Sequence, residues 1–220
     1  MASSVFVYNL SPSIPNVASV FYSALTKLPD NENSYFNLQL LSDNELTGEH
    51  ITVQMIEESF YNTDSRNFDR RRVPKASVVF FSICNDRLEI WGSKSNTNRL
   101  VFALSTATNN RISINSITVS IEEIIERLRS VKAKVAKVYF EDFLFSEDIV
   151  GNFTIDLSSY GDAFSVLDKY KDKVSKMVFI LPSDSMQIKL SFSSKGTIVV
   201  YKPRELIEND AMYLLHSILP

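Results

Sequence analysis

Four basic residues close together are the strongest candidates for binding chemistry in this sequence. The predicted polar loop 66–75 contains Arg70, Arg71, Arg72 and Lys75. Guanidinium and ammonium groups bind phosphates, so this loop predicts a contact with nucleic acid that weakens as salt is raised. The alternative is a hydrated loop in which neighbouring aspartates partly neutralise the basic cluster.

One short pattern is typical of an enzyme. Gln187-Ile188-Lys189 resembles the degenerate Gln-x-Lys motif of restriction-endonuclease-type nucleases. In that family a carboxylate on the preceding strand and the alternate residue bind a metal ion, and the lysine orients the attacking water. Asp156 would have to supply the carboxylate here. The resemblance therefore implies a metal-dependent nuclease, with these residues at its site.

Other catalytic patterns are missing or have a simpler structural explanation. Phosphate-binding, dinucleotide-binding, nucleophile-elbow and zinc-ligand patterns are absent from the sequence. The two histidines are expected in a solvated loop (His50) and in a helix (His216), and Cys84 is expected to be a small buried residue. Four acidic residues are typical of a solvated strand edge, with a divalent cation as the alternative: Glu141, Asp142, Glu147 and Asp148. We expect a non-catalytic protein without metal or cofactor.

Composition predicts a globular protein that folds around a substantial core. The chain has 220 residues, of which 45% are hydrophobic and 11% aromatic. Its formal net charge of -3 provides no overall attraction to nucleic acid or anionic lipid, so any such binding requires a local patch. The chain contains 5 glycines and 1 cysteine, which disfavours glycine-rich phosphate loops and excludes an internal disulfide. Without a long apolar stretch, we expect a soluble, cytoplasmic protein.

A β-hairpin is the clearest structural element of the sequence. Val78–Cys84 and Arg87–Trp91 are rich in β-branched and aromatic residues, and they flank Asn85-Asp86, which tolerates the backbone of a two-residue turn. The resulting register predicts one buried face, made of Phe81, Ile83, Leu88 and Ile90. Phe80 and Trp91 share the opposite face. They are partner-binding anchors if helices cover only the first face, and core residues if helices cover both.

Amphipathic patterns predict helices between the strands. Ser120 and Glu123 form a capping box at the start of the best-marked helix, in which Ile125 belongs to the buried stripe. Asn96 is the predicted cap of an earlier helix, which folds back onto the hairpin and buries Leu104.

Two stretches of the sequence share one order of elements. Ser77–Ala107 and Lys189–Leu219 each predict a strand, a turn, a strand and a helix. This order resembles the repeat unit of the TATA-box-binding protein fold, in which two halves form one curved sheet with helices on one side. The sequence lacks that family's paired phenylalanine wedges and basic concave strands, so the resemblance implies a topology and no functional residue.

The predicted fold class is α+β: an antiparallel-rich curved sheet with helices packed on it. We expect a single compact domain over residues 1–220, because no Gly/Ser/Pro-rich linker divides the chain. The domain would consist of two loosely repeated strand-helix-hairpin-helix halves, at about 1–110 and 111–220.

Three functional hypotheses follow from these patterns. The first is a non-catalytic binding or self-assembling module that acts through a protein partner or a second copy of itself, using the exposed side of its sheet or an edge strand. The alternative is a nucleic-acid-binding protein that uses the basic loop, and the third is the metal-dependent nuclease. None of them requires a membrane or a small-molecule cofactor.

Overall fold

The protein has an α+β fold with antiparallel β-sheet structure. The computed structural model describes residues 3–29, 31–117, 119–146, 149–183 and 186–219. These residues contain five α-helices and eleven strands, and all strand pairs given below are antiparallel, which confirms the predicted class. Among them, no helix is long and apolar enough to cross a membrane. The chain divides into an N-terminal unit, Asn9–Asn115, and a C-terminal unit that combines Met1–Tyr8 with Ser116–Pro220.

The N-terminal unit is a strand meander with two helices. Its elements follow one another in the order β1 (Ser3–Ser11, of which the last residues belong here), α1 (Val17–Leu25), β2 (Ser34–Ser42), β3 (Glu45–Asn62), β4 (Asn67–Cys84), β5 (Arg87–Trp91) and α2 (Lys94–Ala107). The strands β2, β3, β4 and β5 pair in chain order. Both helices contact the sheet and each other, and they cover one of its faces.

The predicted hairpin has the expected register. Phe81 pairs with Ile90 and Ile83 with Leu88, and all four side chains are buried. Asn85 in the turn has a φ of 51°. The helix that follows begins earlier than predicted, because the side chain of Ser93 accepts the cap hydrogen bond from the backbone N–H of Asn96.

The hairpin of β3 and β4 extends far beyond its neighbours. The two strands pair from Glu45 opposite Cys84 to Asn62 opposite Asn67. The neighbouring strand β2 pairs with β3 only as far as Thr52, and β5 pairs with β4 only from Phe80 onward. Residues 54–75 therefore form a two-stranded arm, whose paired strands have nine residues each and a length of about 30 Å at ~3.4 Å per residue.

The arm replaces the predicted polar loop. The prediction of a loop over residues 66–75 is wrong, because Asn67–Cys84 is one continuous strand. Its charged side chains face solvent and it has few buried positions, so the alternation of polar and apolar residues that usually marks a strand is missing.

The C-terminal unit is also built of antiparallel strands with helices packed on them. After β6 (Ser113–Ser116), which lies at the boundary between the units, its elements are α3 (Ile121–Ser130), β7 (Lys134–Ser146), β8 (Ile149–Asp156), α4 (Ala163–Tyr170), β9 (Val174–Pro182), β10 (Gln187–Ser193), β11 (Ile198–Val200) and α5 (Asn209–Ile218). The strand order runs β1, β11, β10, β9, β7, β8. The predicted capping box is confirmed, since Ser120 and Glu123 exchange side-chain to backbone hydrogen bonds at the start of α3.

Candidate functional site

One face of the N-terminal sheet is not covered by α1 and α2, and it continues along the arm. We call this surface the open face. Because directly paired residues of an antiparallel sheet point to the same side, the pairing defines its rungs. On the sheet, one rung consists of Tyr35, Ile51 and Val78. Along the arm, the rungs are Met55 with Pro74, Glu57 with Arg72, Ser59 with Arg70, and Tyr61 with Phe68.

Exposed apolar side chains are concentrated on this open face. Met55, Tyr61 and Phe68 are 60%, 57% and 65% exposed. At the tip, the rings of Tyr61 and Phe68 form an edge-to-face pair with centroids 5.4 Å apart. Exposed aromatic and methionine side chains on one continuous surface are typical of a protein interaction site. Sequence analysis missed these three residues, although the apolar residues on either side of the turn 63–66 were a signal for an aromatic tip.

The structure divides the predicted basic cluster between two faces of the arm. Arg70 and Arg72 lie on the open face, whereas Arg71 and Lys75 lie on the opposite one. Two of the arginines stand directly across from glutamates, Arg72 from Glu57 and Arg71 from Glu58. Within the described part of the chain, none of the three arginine side chains has a hydrogen bond or an ion pair. The binding role of the four residues stays a prediction.

The structure gives Trp91 a different environment from Phe80. They pair across β4 and β5 on the open face, as the register predicts. Trp91 is only 3% exposed, and its indole N–H donates a hydrogen bond to the buried carboxylate of Glu89, whereas Phe80 is half-buried. The exposed indole that partner binding would require is therefore not present, and Trp91→Ala would alter packing as well as any contact surface.

A cavity of about 470 Å³ lies between α1, α2 and the start of β2. Its described lining residues carry no charge, and its size is typical of small-ligand pockets. Ser34 lines the cavity, and its Oγ lies 2.9 Å from Nε2 of His50. His50 is 4% exposed and stacks on the ring of Phe36. The prediction that His50 lies in a solvated loop is therefore wrong, because β3 begins before it and buries it.

Burial of His50 should make the protein less stable in mild acid. Burial lowers the pKa of His50 below its usual value of 6.5, because the charged ring is disfavoured away from water. The unfolded chain then binds a proton that the folded chain does not, so stability decreases as pH falls below about 6.5 and levels off below the folded-state pKa. Urea denaturation at several pH values should show this decrease.

The variant His50→Gln is the control for this pH effect. Glutamine removes the titrating ring, so the variant should lose less stability than the unmodified protein over the same acid range. Equal pH dependence of the two proteins would contradict the assignment to His50.

The predicted nuclease residues are not brought together. Gln187 and Lys189 lie on β10, whereas Asp156 lies on β8, three strands away in the order β10, β9, β7, β8. At ~4.8 Å per strand this separation is about 14 Å, too far for a shared metal ion. The carboxylate of Asp156 instead accepts hydrogen bonds from Ser158.

The acidic residues and the cysteine considered in the sequence do not form a metal site among the described residues. Glu141 and Asp142 are exposed at an irregularity of β7, and Glu147 and Asp148 lie outside the described residues. Across the described ranges, no group of three or more His, Cys, Asp or Glu residues is arranged to hold a metal ion. The expectation of a buried cysteine is wrong, since Cys84 is exposed at the end of β4.

Comparison with known proteins adds no further assignment. No protein-family model matches the chain, and no curated protein sequence matches it.

Proposed function

We propose that the protein is a non-catalytic self-assembling module, in which two copies associate through the open face of the arm. The observation that supports this proposal is the composition of the rungs. Three of the four rungs along the arm combine two residues that attract each other: apolar with apolar in Met55 and Pro74, acid with base in Glu57 and Arg72, aromatic with aromatic in Tyr61 and Phe68. The fourth pairs Ser59 with Arg70.

The geometry of a two-fold axis turns these rungs into a complementary surface. If two arms pack face to face around an axis that runs along the arm, β3 of one copy lies over β4 of the other. Each rung then meets the same rung of the second copy with its two residues exchanged, so that Glu57 faces Arg72, Tyr61 faces Phe68 and Met55 faces Pro74. Such self-complementarity is the requirement for a two-fold dimer.

A two-fold axis across the arm would give the opposite result. In that arrangement β3 lies over β3, so Glu57 faces Glu57 and Arg72 faces Arg72 at the central rung. Like charges in direct contact are destabilising, which favours the axis along the arm. Because a two-stranded ribbon offers a small area, we expect an association weaker than that of obligate dimers, with the exposed sheet rung of Tyr35 and Val78 adding to it.

Removing the aromatic tip should convert the dimer to a monomer. The variant Tyr61→Ser/Phe68→Ser loses the largest apolar contact of each copy, and truncation of an aromatic anchor commonly weakens association by ~2 kcal/mol or more. Sedimentation velocity over a range of concentrations measures the effect. Phe102→Ser and Tyr213→Ser are matched controls, because both aromatic residues are exposed on helices and neither belongs to the open face, so these variants should dimerise normally.

Charge reversal tests the proposed pairing directly. Glu57→Arg and Arg72→Glu should each abolish self-association, because each places like charges opposite one another at two positions of the dimer. An equimolar mixture of the two variants should form a heterodimer, in which every such contact is again between opposite charges. The proposal would be refuted if the protein is monomeric at all concentrations, or if neither charge reversal changes its self-association.

The basic residues of the arm support a second candidate function. Arg70 and Arg72 share the open face with Tyr61 and Phe68, and cations interleaved with aromatic rings are typical of nucleic-acid-binding surfaces. The arm as a whole has nearly balanced charge, with its arginines opposed by Glu57 and neighbouring acids, which favours self-association over binding to a polyanion.

The repeat with TATA-box-binding-protein-like topology stays a hypothesis beside this proposal. In its favour, β4, β5 and α2 in one unit and β10, β11 and α5 in the other share the order strand, turn, strand, helix. Against it, the C-terminal unit has a three-strand meander beside the separate hairpin of β7 and β8, whereas the N-terminal unit has a four-strand meander. The proposed dimer does not depend on the repeat.

A further inference from the structure

The sheet of the C-terminal unit gathers its lysines on the face opposite its helix-packed core, where the shorter side chains of Val178 and Ser191 are also buried. Val135, Phe179, Leu190 and Val200 alternate with these positions and are buried. The lysine-bearing positions form three rungs across neighbouring strands: Lys134, Ile180, Lys189 and Tyr201; Asp156, Lys137, Val178 and Ser191; Thr154, Tyr139, Lys176 and Ser193. We call this surface the lysine face. It carries four lysines and one aspartate, although the whole chain has a net charge of -3.

Two tyrosines hold the ammonium groups in place on this face. Lys176 Nζ lies 5.5 Å from the ring centre of Tyr139, and Lys189 Nζ lies 5.6 Å from that of Tyr201. Of the other two lysines, Lys137 has its Nζ 3.8 Å from the carboxylate of Asp156, and Lys134 is exposed. Aromatic rings and cations therefore alternate over three adjacent strands.

The titration of Tyr201 indicates a positive potential at this surface. The pKa of its hydroxyl is lowered from the usual value, first by the hydrogen bond with Ser191 and further by the positive charges of Lys176 and Lys189. Burial acts in the opposite direction and is outweighed. The same positive charges would attract other anionic groups to this surface.

We propose that the lysine face binds single-stranded nucleic acid. Ammonium groups contact successive phosphates, and the rings of Tyr139 and Tyr201 provide stacking surfaces for bases. Lys134 and Lys189 are two strands apart on one rung, which corresponds to about 10 Å at ~4.8 Å per strand. A flexible single strand can follow such a spacing and turn its bases toward the sheet, whereas the bases of a duplex stay stacked inside it.

Sequence analysis missed this surface for a physical reason. The lysines are spread over 56 positions, from Lys134 to Lys189, with one or two on each strand, so no local cluster marks them. Only the pairing of β7, β9 and β10 brings them together. No single strand of the sequence therefore stands out as basic.

Titrations of labelled oligothymidylate and oligouridylate against the full chain test the proposal. The unmodified protein should bind both, and log affinity should fall with log salt with a slope of about -3, from four contacts at ~0.7 each on a single strand. The variant Lys134→Gln/Lys137→Gln/Lys176→Gln/Lys189→Gln should lose most of this affinity and most of the slope. Its circular dichroism and thermal unfolding should match those of the unmodified protein, because these side chains lie outside the core.

The N-terminal unit supplies the matched control, because Lys27, Lys94 and Arg111 are exposed there and lie outside both proposed surfaces. The variant Lys27→Gln/Lys94→Gln/Arg111→Gln removes a similar amount of positive charge and should bind the oligonucleotides as the unmodified protein does. Loss of binding in this variant, with binding retained in the lysine variant, would overturn the assignment to the lysine face. This control also separates the inference from the proposed dimer, which can fail or hold independently.

The tyrosines distinguish single-stranded nucleic acid from other polyanions. Tyr139→Leu/Tyr201→Leu should weaken oligonucleotide binding about tenfold and leave the salt slope unchanged, because stacking is lost and the charges stay. Heparin and phosphatidylserine vesicles should bind more weakly than the oligonucleotides, and their affinity should not change in the tyrosine variant. Equal binding of all three probes, tighter binding of a DNA duplex, or no oligonucleotide binding at low salt would each refute the proposal.

Discussion

Replacing Leu104 by alanine is expected to lower the free energy of unfolding by about 2 to 5 kcal/mol. Leu104 is fully buried on α2, where the helix packs against the sheet of the N-terminal unit. Alanine removes apolar atoms that fill this space, and the surrounding side chains close the resulting cavity only in part. Chemical denaturation monitored by circular dichroism measures the loss.

The same helix contains the matched control for this substitution. Phe102 is 73% exposed two residues earlier, so Phe102→Ala should change the free energy of unfolding by no more than about 0.5 kcal/mol. A loss of less than about 1 kcal/mol for Leu104→Ala would show that the buried face of α2 is wrongly assigned. Ile125→Ala on α3 should match the cost at Leu104, and if residues 1–220 fold as one cooperative domain, both variants shift a single transition.

Gly48→Ala should destabilise the protein by about 1 to 3 kcal/mol, although it adds only one methyl group. A Cβ atom at Gly48 would lie 2.8 Å from Leu38 Cδ2 and 2.8 Å from Phe81 Cζ, well inside van der Waals contact. Both atoms are at the ends of side chains, but the ring of Phe81 is packed in the core and can move only by disturbing its neighbours.

Gly161→Ala is the control for crowding at Gly48. No heavy atom lies within 4 Å of a Cβ at Gly161, so this variant should be as stable as the unmodified protein or slightly more so. Differential scanning calorimetry of both variants gives the comparison. If Gly48→Ala unfolds at the same temperature as Gly161→Ala, the close packing of β2, β3 and β4 at this point is not as described.

Local sequence patterns predicted the elements whose stabilising interactions join residues close together in the chain. The hairpin of Phe81, Ile83, Leu88 and Ile90 follows from strict alternation and a two-residue turn. The start of α3 follows from the capping box, whose hydrogen bonds join residues only three apart. In both cases the deciding interactions lie within a few residues, so the sequence alone contains them.

The features that the sequence did not predict depend on contacts between residues far apart in the chain. Residues 67–75 form a strand because they pair with β3, and their many charged side chains leave no polar-apolar alternation that would have predicted it. His50 is buried because α1 and α2 cover that face of the sheet, and Trp91 is buried although its face carries charged and polar neighbours. The self-complementary rungs of the arm likewise depend on register, since a shift by one residue would pair Glu57 with a different residue.

The arm also has a consequence for local unfolding. Its two strands are held by hydrogen bonds to each other with little buried apolar surface, and an isolated two-stranded ribbon is marginally stable in water. Its amide hydrogens should therefore exchange with solvent through local opening, long before the helix-covered part of β3 and β4 unfolds. Dimerisation through the open face would slow this exchange selectively, so the amides of residues 54–75 would report assembly residue by residue.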